Sequence, residues 1–515
     1  MKFEVLKTNW ILEEIAFLFA LALPTSIECL TEGLQMKLSN IFIGRSSGNN
    51  IEILLSALFI GQTAISLISY PIAEGIALYV NILCSQAYGA KQYKLVGFYF
   101  HRALLMATLV CFPVFTILIS VRPIVYLVFQ DWELAEYSGS YTDILCFGYP
   151  AYLYYKIGIR FLQALNIVWG PALYLLIGIT LNGIIQYILI FQYNTNIQGA
   201  AAGYVISNYL VALLVFSHIQ LSHVHKTISH EWSIELISDW YHTSKYAIST
   251  IVQTLVSSAP LVILPILAIG VFANDKRQLA IYSIIYSIGW VTSLGIMGFS
   301  SAITVRVGNL LGADDPKRAK KAAVLGIVVG PVLLALVNLV LLGISEPLSH
   351  LFTTDTDFAK ELAWNIMWLS FLLNCNSNYI IQGVMNACCK QRIQTVLKFI
   401  LQIFLGTIAT FLLVNFVKWK ALSIYFQVTI NTAFVMVIDL FILFCSDWRK
   451  IASVVKTNTE TNTSTEKEPQ RIFRNLTLIK LILRSKAFIL SRYLVCLAVS
   501  ITVFTTILIL KQFLC

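Results

Sequence analysis

The chain has 515 residues, of which 58% are hydrophobic and only 12% charged, where soluble domains carry about 25% charged residues. Its mean hydropathy of +0.76 excludes a water-soluble fold of this size and points to a multi-pass membrane protein. The net charge of +10 reads as cytosolic loops rich in Lys and Arg, and no basic patch suggests a nucleic-acid partner.

Spanning helices need about 20 apolar residues. On that measure about thirteen spans are predicted, near 15–36, 53–83, 103–128, 138–159, 171–193, 199–221, 246–272, 279–305, 322–344, 361–386, 396–417, 421–446 and 488–510. The apolar runs are unbroken and do not alternate with period two, which disfavours an outer-membrane barrel. With the N-terminus cytosolic, Lys and Arg divide 26 inside to 9 outside, with Arg492 within the last span. That bias predicts a cytosolic N-terminus and an extracellular C-terminus.

Met1–Trp10 is polar, so no cleavable signal is expected. The polar stretch 447–487 reads as a flexible cytosolic linker, which would leave the sequons at Asn462 and Asn475 unused. The ten cysteines form no CxxC pattern and suggest neither a disulfide framework nor a metal site. No His cluster, Ser-His-Asp arrangement or phosphate loop is visible, so no catalytic residue, no cofactor and no enzyme activity is expected.

An internal repeat is visible at an offset of 223 residues. Gly89-Ala90 recurs as Gly312-Ala313, Lys94 as Lys317 and Phe129 as Phe352. The expected architecture is all-α: two pseudo-symmetric, parallel six-helix lobes plus a thirteenth C-terminal helix. The predicted boundaries are an N-terminal lobe over 1–221, an inter-lobe loop over 222–245 and a C-terminal lobe over 246–446. The linker follows over 447–487, then an extra helix and short tail over 488–515. Gly89 and Gly312 stand where helices end and are expected to be C-caps with positive φ. Arg306 and Lys94 are expected near the cytosolic interface, as anchors of helix ends.

Ser85-Gln86-Ala-Tyr-Gly89-Ala90 and Arg306-Val-Gly308-Asn309-Leu-Leu-Gly312-Ala313, with Cys111-Phe-Pro113, Phe161-Leu-Gln163 and Phe352-Thr-Thr-Asp355, resemble the multidrug and toxin extrusion (MATE) transporters. The resemblance runs over roughly 20–446, and the tail is similar to that of the animal branch, which adds a linker and one more helix. It implies export of organic cations in exchange for protons. It also implies carboxylates in the seventh, eighth and tenth helices. The matching positions here are Ser257, Val262, Ser287 and Cys375, none of them acidic. The acids of prokaryotic members align with Ser39 and Gln186, and Asn81 stands where many relatives carry Asp.

Other carboxylates are therefore the candidates for proton and substrate coupling. Glu28 and Glu32 lie four residues apart on one helix face, and Glu74 lies in the second span. Ionisable residues inside a membrane are costly and usually functional. The alternative for Glu28 or Glu32 is an outward-open watery vestibule, or a purely structural pairing with Lys37 or Arg45. Asp143 and Asp439, near span ends, are weaker candidates. Cavity-lining candidates are Gln35, Asn81, Asn182, Gln186, Gln253, Tyr282, Tyr286, Asn374, Asn376 and Asn378, since aromatic faces attract organic cations and amides can hydrogen-bond within a membrane.

The expectation is a monomeric secondary transporter of the plasma membrane that exports amphipathic organic cations or xenobiotics against protons. The alternatives are an uncoupled or non-cation transporter and a transport-dead receptor or scaffold.

Overall fold

The computed structural model describes residues 2–46, 51–222, 236, 245–258, 276–350, 356–372, 377–406, 408 and 421–464. The thirteenth span, Val262, Asn374, Cys375 and Asn376 lie outside the described residues. The described chain is almost wholly helical. The elements are α1 (Lys2–Gly44), α2 (Ile51–Leu67), α3 (Ser69–Gly89), α4 (Tyr93–Ile119), α5 (Val121–Phe129), α6 (Trp132–Ala164), α7 (Trp169–Tyr187) and α8 (Asn196–Leu221). After a helical stretch over 245–258 come α9 (Lys276–Gly312), α10 (Pro316–Gly343), α11 (Ser345–His350), α12 (Thr356–Leu372), α13 (Asn378–Ala387), α14 (Gln391–Lys398), α15 (Ala421–Phe444) and α16 (Trp448–Ser464). A π-helical turn, Ile188–Gln192, continues α7, and another, Phe399–Leu405, continues α14.

Among the described residues seven helices are long and apolar enough to cross a membrane, or eight if the bent pair Val428–Phe444 and Trp448–Thr457 is one span. The shortfall from thirteen has identifiable sources. The predicted span 138–159 lies within α6, which carries Asp143, Lys156, Arg160 and six tyrosines. Other predicted spans extend partly or wholly beyond the described residues. The predicted linker also needs correction: its first part is the helix α16. Asp447 caps it by accepting the Arg449 amide at 3.0 Å, and Trp448, Ala452 and Val455 bury one face. Helical spacing of three apolar residues outweighed a polar composition there.

The described chain forms two compact units. One comprises Met1–Leu30 and Val252–Val454, the other Thr31–Ile251 and the chain from Val455. The boundary thus falls inside α1. In the first unit the early part of α1 lies against α9. The Ser26 hydroxyl donates to the Gly295 carbonyl at 2.8 Å, and a Cβ on Gly298 would overlap the Ser26 backbone. In the second unit a large core joins α3, α4, α6 and α8, around Tyr79, Phe100, Tyr155, Phe161 and Val215.

The repeat is written into the backbone. Lys91 and Asp314 both have left-handed φ, 59° and 58°, and are 223 residues apart. Lys91 N–H bonds Tyr88 O and Gln92 N–H bonds Ala87 O, as Asp314 N–H bonds Leu311 O and Asp315 N–H bonds Leu310 O. Asn166 and Cys389, at φ 63° and 57°, are separated by the same interval and repeat the same pair of bonds, to Gln163 and Leu162 and to Asn386 and Met385. These are Schellman closures, which satisfy the last carbonyls of a helix. Their placement corrects the reading of Gly89 and Gly312. Both remain in the final helical turn, the cap of α3 is Ala90 at φ −73°, and no described glycine has positive φ.

Candidate functional site

In the unit that begins at Thr31, three helices bring four charged side chains together. α6 presents Tyr152, Lys156 and Arg160 at intervals of four, hence on one face. Glu32 of α1 accepts the Tyr152 hydroxyl at 2.9 Å, and its second oxygen is bound by the Lys156 ammonium. The same ammonium lies 3.0 Å from Glu74 of α3, whose other oxygen accepts Arg160 at 2.8 Å. Arg160 also donates to the Gln163 side chain at 2.8 Å. The Lys156 residue is 1% exposed. Two carboxylates and two cations make the cluster neutral, which is how buried charge is tolerated in a low-dielectric interior.

Glu32 and Glu74, separate candidates in the sequence, are thus joined through one lysine. Glu32 pairs with Lys156 and not with Lys37 or Arg45. Glu28 is buried, on the part of α1 that belongs to the other unit. Asp143 is bound by Arg122 at 2.8 Å. The cations were misread from sequence: Lys156 and Arg160 entered the inside charge count as loop residues, as did the buried Lys398. Without these three the inside sum falls from 26 to 23. The informative signal was the four-residue spacing of Tyr152, Lys156 and Arg160.

Beside this cluster in the same unit is a neutral polar belt. Gln35 donates to the Ser207 hydroxyl at 2.8 Å and the Asn208 amide oxygen at 3.2 Å. Asn182 donates to the Gln35 backbone carbonyl at 3.1 Å, and Gln186 donates to Asn182 at 2.8 Å. The sequence candidates Gln35, Asn182 and Gln186 therefore form one network. Asn81 is buried on α3.

The other unit holds a second polar cluster. Gln253 donates to Asn386 at 2.7 Å and to Gln394 at 3.1 Å. Gln394 donates to Asp439 at 2.6 Å. One turn along α14, Lys398 donates to the Gln382 amide oxygen at 2.6 Å and the Ser257 hydroxyl at 3.2 Å. Sequence reading chose Gln253, gave Asp439 little weight and missed Lys398. Tyr282 and Tyr286 stack with ring centres 6.1 Å apart, and Asn378 is buried at the start of α13.

The family-motif residues also find partners. Arg306 donates to both Glu14 carboxylate oxygens through its Nε and Nη2, at 2.6 and 2.7 Å, and lies over the Phe17 ring at 4.2 Å. It anchors α9 to α1 through that carboxylate. Gln86, Gly308 and Asn309 are buried in their helices. Among the described residues no group of His, Cys, Asp and Glu has the arrangement of a metal site.

The MatE family model matches residues 24–188 and 249–412, one segment in each repeat. The chain is 29% identical over 360 residues to multidrug and toxin extrusion protein 1 of Danio rerio, covering 70% of this chain and 60% of that protein. It is 25% identical over 379 residues to the protein of the same name from Homo sapiens, covering 72% and 65%. The chain thus spans 60% and 65% of the length of these two curated relatives. Among solved structures, the eukaryotic MATE transporter AtDTX14 superposes with a TM-score of 0.80 at 20% identity, covering 87% of this chain and 99% of that one. A MATE transporter of Vibrio cholerae does so with a TM-score of 0.76 at 14% identity, covering 85% and 99%. These likenesses establish the two-lobe helical membrane fold.

Proposed function

The chain belongs to the MatE family, and on that premise we propose that it is a plasma-membrane secondary transporter exporting amphipathic organic cations and other xenobiotics in exchange for protons by alternating access. The names of the relatives, multidrug and toxin extrusion protein 1, support the substrate class. The observation that carries the reading is the sharing of Lys156 by Glu32 and Glu74 within a membrane lobe. A proton on either carboxylate removes one negative charge and leaves the cluster with net charge +1, which disfavours a nearby organic cation. Loss of that proton restores neutrality and lets a cation compete with Lys156 or Arg160 for carboxylate oxygen. In this scheme the outward-facing lobe takes a proton and releases substrate, and the inward-facing lobe does the reverse. Glu28, buried on the same helix as Glu32, is the third coupling candidate. The transporter works as a monomer, with a cytosolic N-terminus and an extracellular C-terminus.

The test is ethidium flux in liposomes containing the full chain, with and without an imposed pH gradient. The expected result is gradient-driven flux that loses its gradient dependence in the double variant Glu32→Gln with Glu74→Gln. Unchanged dependence in that variant would refute the role of these carboxylates. A second reading, uncoupled transport of neutral or anionic substrates, draws on the balance of two cations against two carboxylates. Ethidium flux indifferent to the gradient in the unaltered protein would favour it.

A further inference from the structure

The second polar cluster contains two buried charges of opposite sign that do not touch. Lys398 is 3% exposed and Asp439 is 0% exposed. Among the described residues the ammonium bonds only neutral groups, the Gln382 amide oxygen and the Ser257 hydroxyl. The carboxylate accepts one bond, from Gln394, while its Oδ1 is buried with no hydrogen-bond partner among the described residues. Gln394 and Lys398 are one helical turn apart, so a single face of α14 carries both the donor to Asp439 and the ammonium.

Other titratable groups stand on the surrounding elements. Arg392 is exposed, Tyr379 is half-buried and Cys388 is a buried free thiol. Lys390 is bound to Ser446, Arg306 of α9 is held by Glu14 and Glu361 of α12 by Arg277.

A buried ion that lacks a contacting counter-ion is costly, and a direct pair would recover much of that cost. Here the ammonium and the free carboxylate oxygen are held by different amides. We infer that Lys398 and Asp439 form a proton-handling pair in the lobe whose usual family carboxylate positions are neutral. The change is simple to balance. One proton from water bonds to Asp439 Oδ1, turning carboxylate into carboxyl, and the pair passes from net zero to net +1. Release of that proton to water restores zero. The net +1 state repels an organic cation from this lobe, and the neutral state admits it, so one proton is exchanged for one monovalent cation. The coupling role rests on the transporter reading above. The proton chemistry does not.

The test therefore has two readouts on the full chain. In detergent, infrared difference spectra between alkaline and acidic pH follow the carbonyl band of protonated carboxyl groups. The expected band loses a component in Asp439→Asn, and that component shifts its pH midpoint in Lys398→Met. An unaltered band in folded Asp439→Asn protein would overturn the inference. In liposomes, the pH-gradient stimulation of ethidium flux should be lost in Asp439→Asn. Stimulation that persists there while the band component is gone would overturn the coupling role. Absence of ethidium flux in every form, with the band component still assigned to Asp439, would instead sink the transporter reading and leave the pair standing. Should either single variant misfold, the neutral double variant Lys398→Met with Asp439→Asn, monodisperse on size exclusion, serves in both measurements.

Discussion

The two halves of this molecule close their helices alike and hold them together differently. In the first repeat α3 meets α6 through ions, Glu74 to Lys156 and Arg160. At the offset of 223 fixed by the corner pairs, these three residues become Met297, Tyr379 and Gly383, all neutral. The equivalent helices, α9 and α13, join by backbone instead. The Ser300 hydroxyl donates to the Tyr379 carbonyl at 2.5 Å, and the Thr304 hydroxyl to the Gly383 carbonyl at 3.0 Å. A Cβ on Gly383 would lie 2.5 Å from the Ser300 carbonyl oxygen, so nothing of arginine's size fits. A backbone repeat can therefore persist while its glue changes from salt bridge to close contact. The second repeat buries a lysine and an aspartate elsewhere, on α14 and α15, at Lys398 and Asp439.

That difference predicts unequal losses. Lys156→Met removes the cation shared by two buried carboxylates, and breaking a buried ion pair in this way costs about 3–5 kcal/mol. The check is thermal unfolding in detergent, with a large fall in Tm. Combining Lys156→Met with Glu32→Gln should recover part of that loss, because one stranded charge is removed with its partner. A Tm near that of the unaltered protein in the single variant would mean that Arg160 and Tyr152 alone satisfy both carboxylates.

The second half should be most sensitive to volume. Gly383→Ala forces a methyl group against the Ser300 carbonyl, and overpacking of this kind costs about 1–3 kcal/mol. By contrast, Lys398→Met gives up two hydrogen bonds to neutral partners but also the burial of an ammonium, and Asp439, which that ammonium does not touch, takes up a proton in place of a stranded charge. These effects oppose each other, and the change should lie within about 1 kcal/mol of zero. Unfolding curves of the two variants, measured side by side, test whether contact or charge dominates in this lobe.

The sequence carried the helical spans and the repeat because both are periodic signals spread over many residues. Gln35, Asn182 and Gln186 were three of ten cavity-lining candidates, and the fold joins them in one network. What it did not carry was partnership. Lys156 and Arg160 lie near a span end, where a charge count treats any cation as a loop residue. Only the fold places α1 and α3 against that face of α6. Lys398 was lost for the same reason, while Asp439 was visible but had no partner to give it meaning. The corner glycines misled because a glycine near a helix end suggests left-handed backbone, yet the chain makes that turn two residues later, at Lys91 and Asp314.

The smallest effect bears on those corners, the feature that the halves share. Asn166 and Cys389 occupy the same left-handed position, at φ 63° and 57°. Asn tolerates that region through its short polar side chain, whereas most L-residues incur about 1–2 kcal/mol there. Glycine incurs no such strain but has more freedom to lose on folding. Cys389→Gly should therefore stabilise the second repeat by up to about 1 kcal/mol, and Asn166→Gly should change the first by only a few tenths. Both appear as shifts in Tm of the full chain, so the comparison needs no transport assay. Equal shifts would mean that the corners differ in strain less than their residues imply. A destabilising Cys389→Gly would mean that the cysteine side chain contributes packing at this corner that outweighs the relief of its backbone.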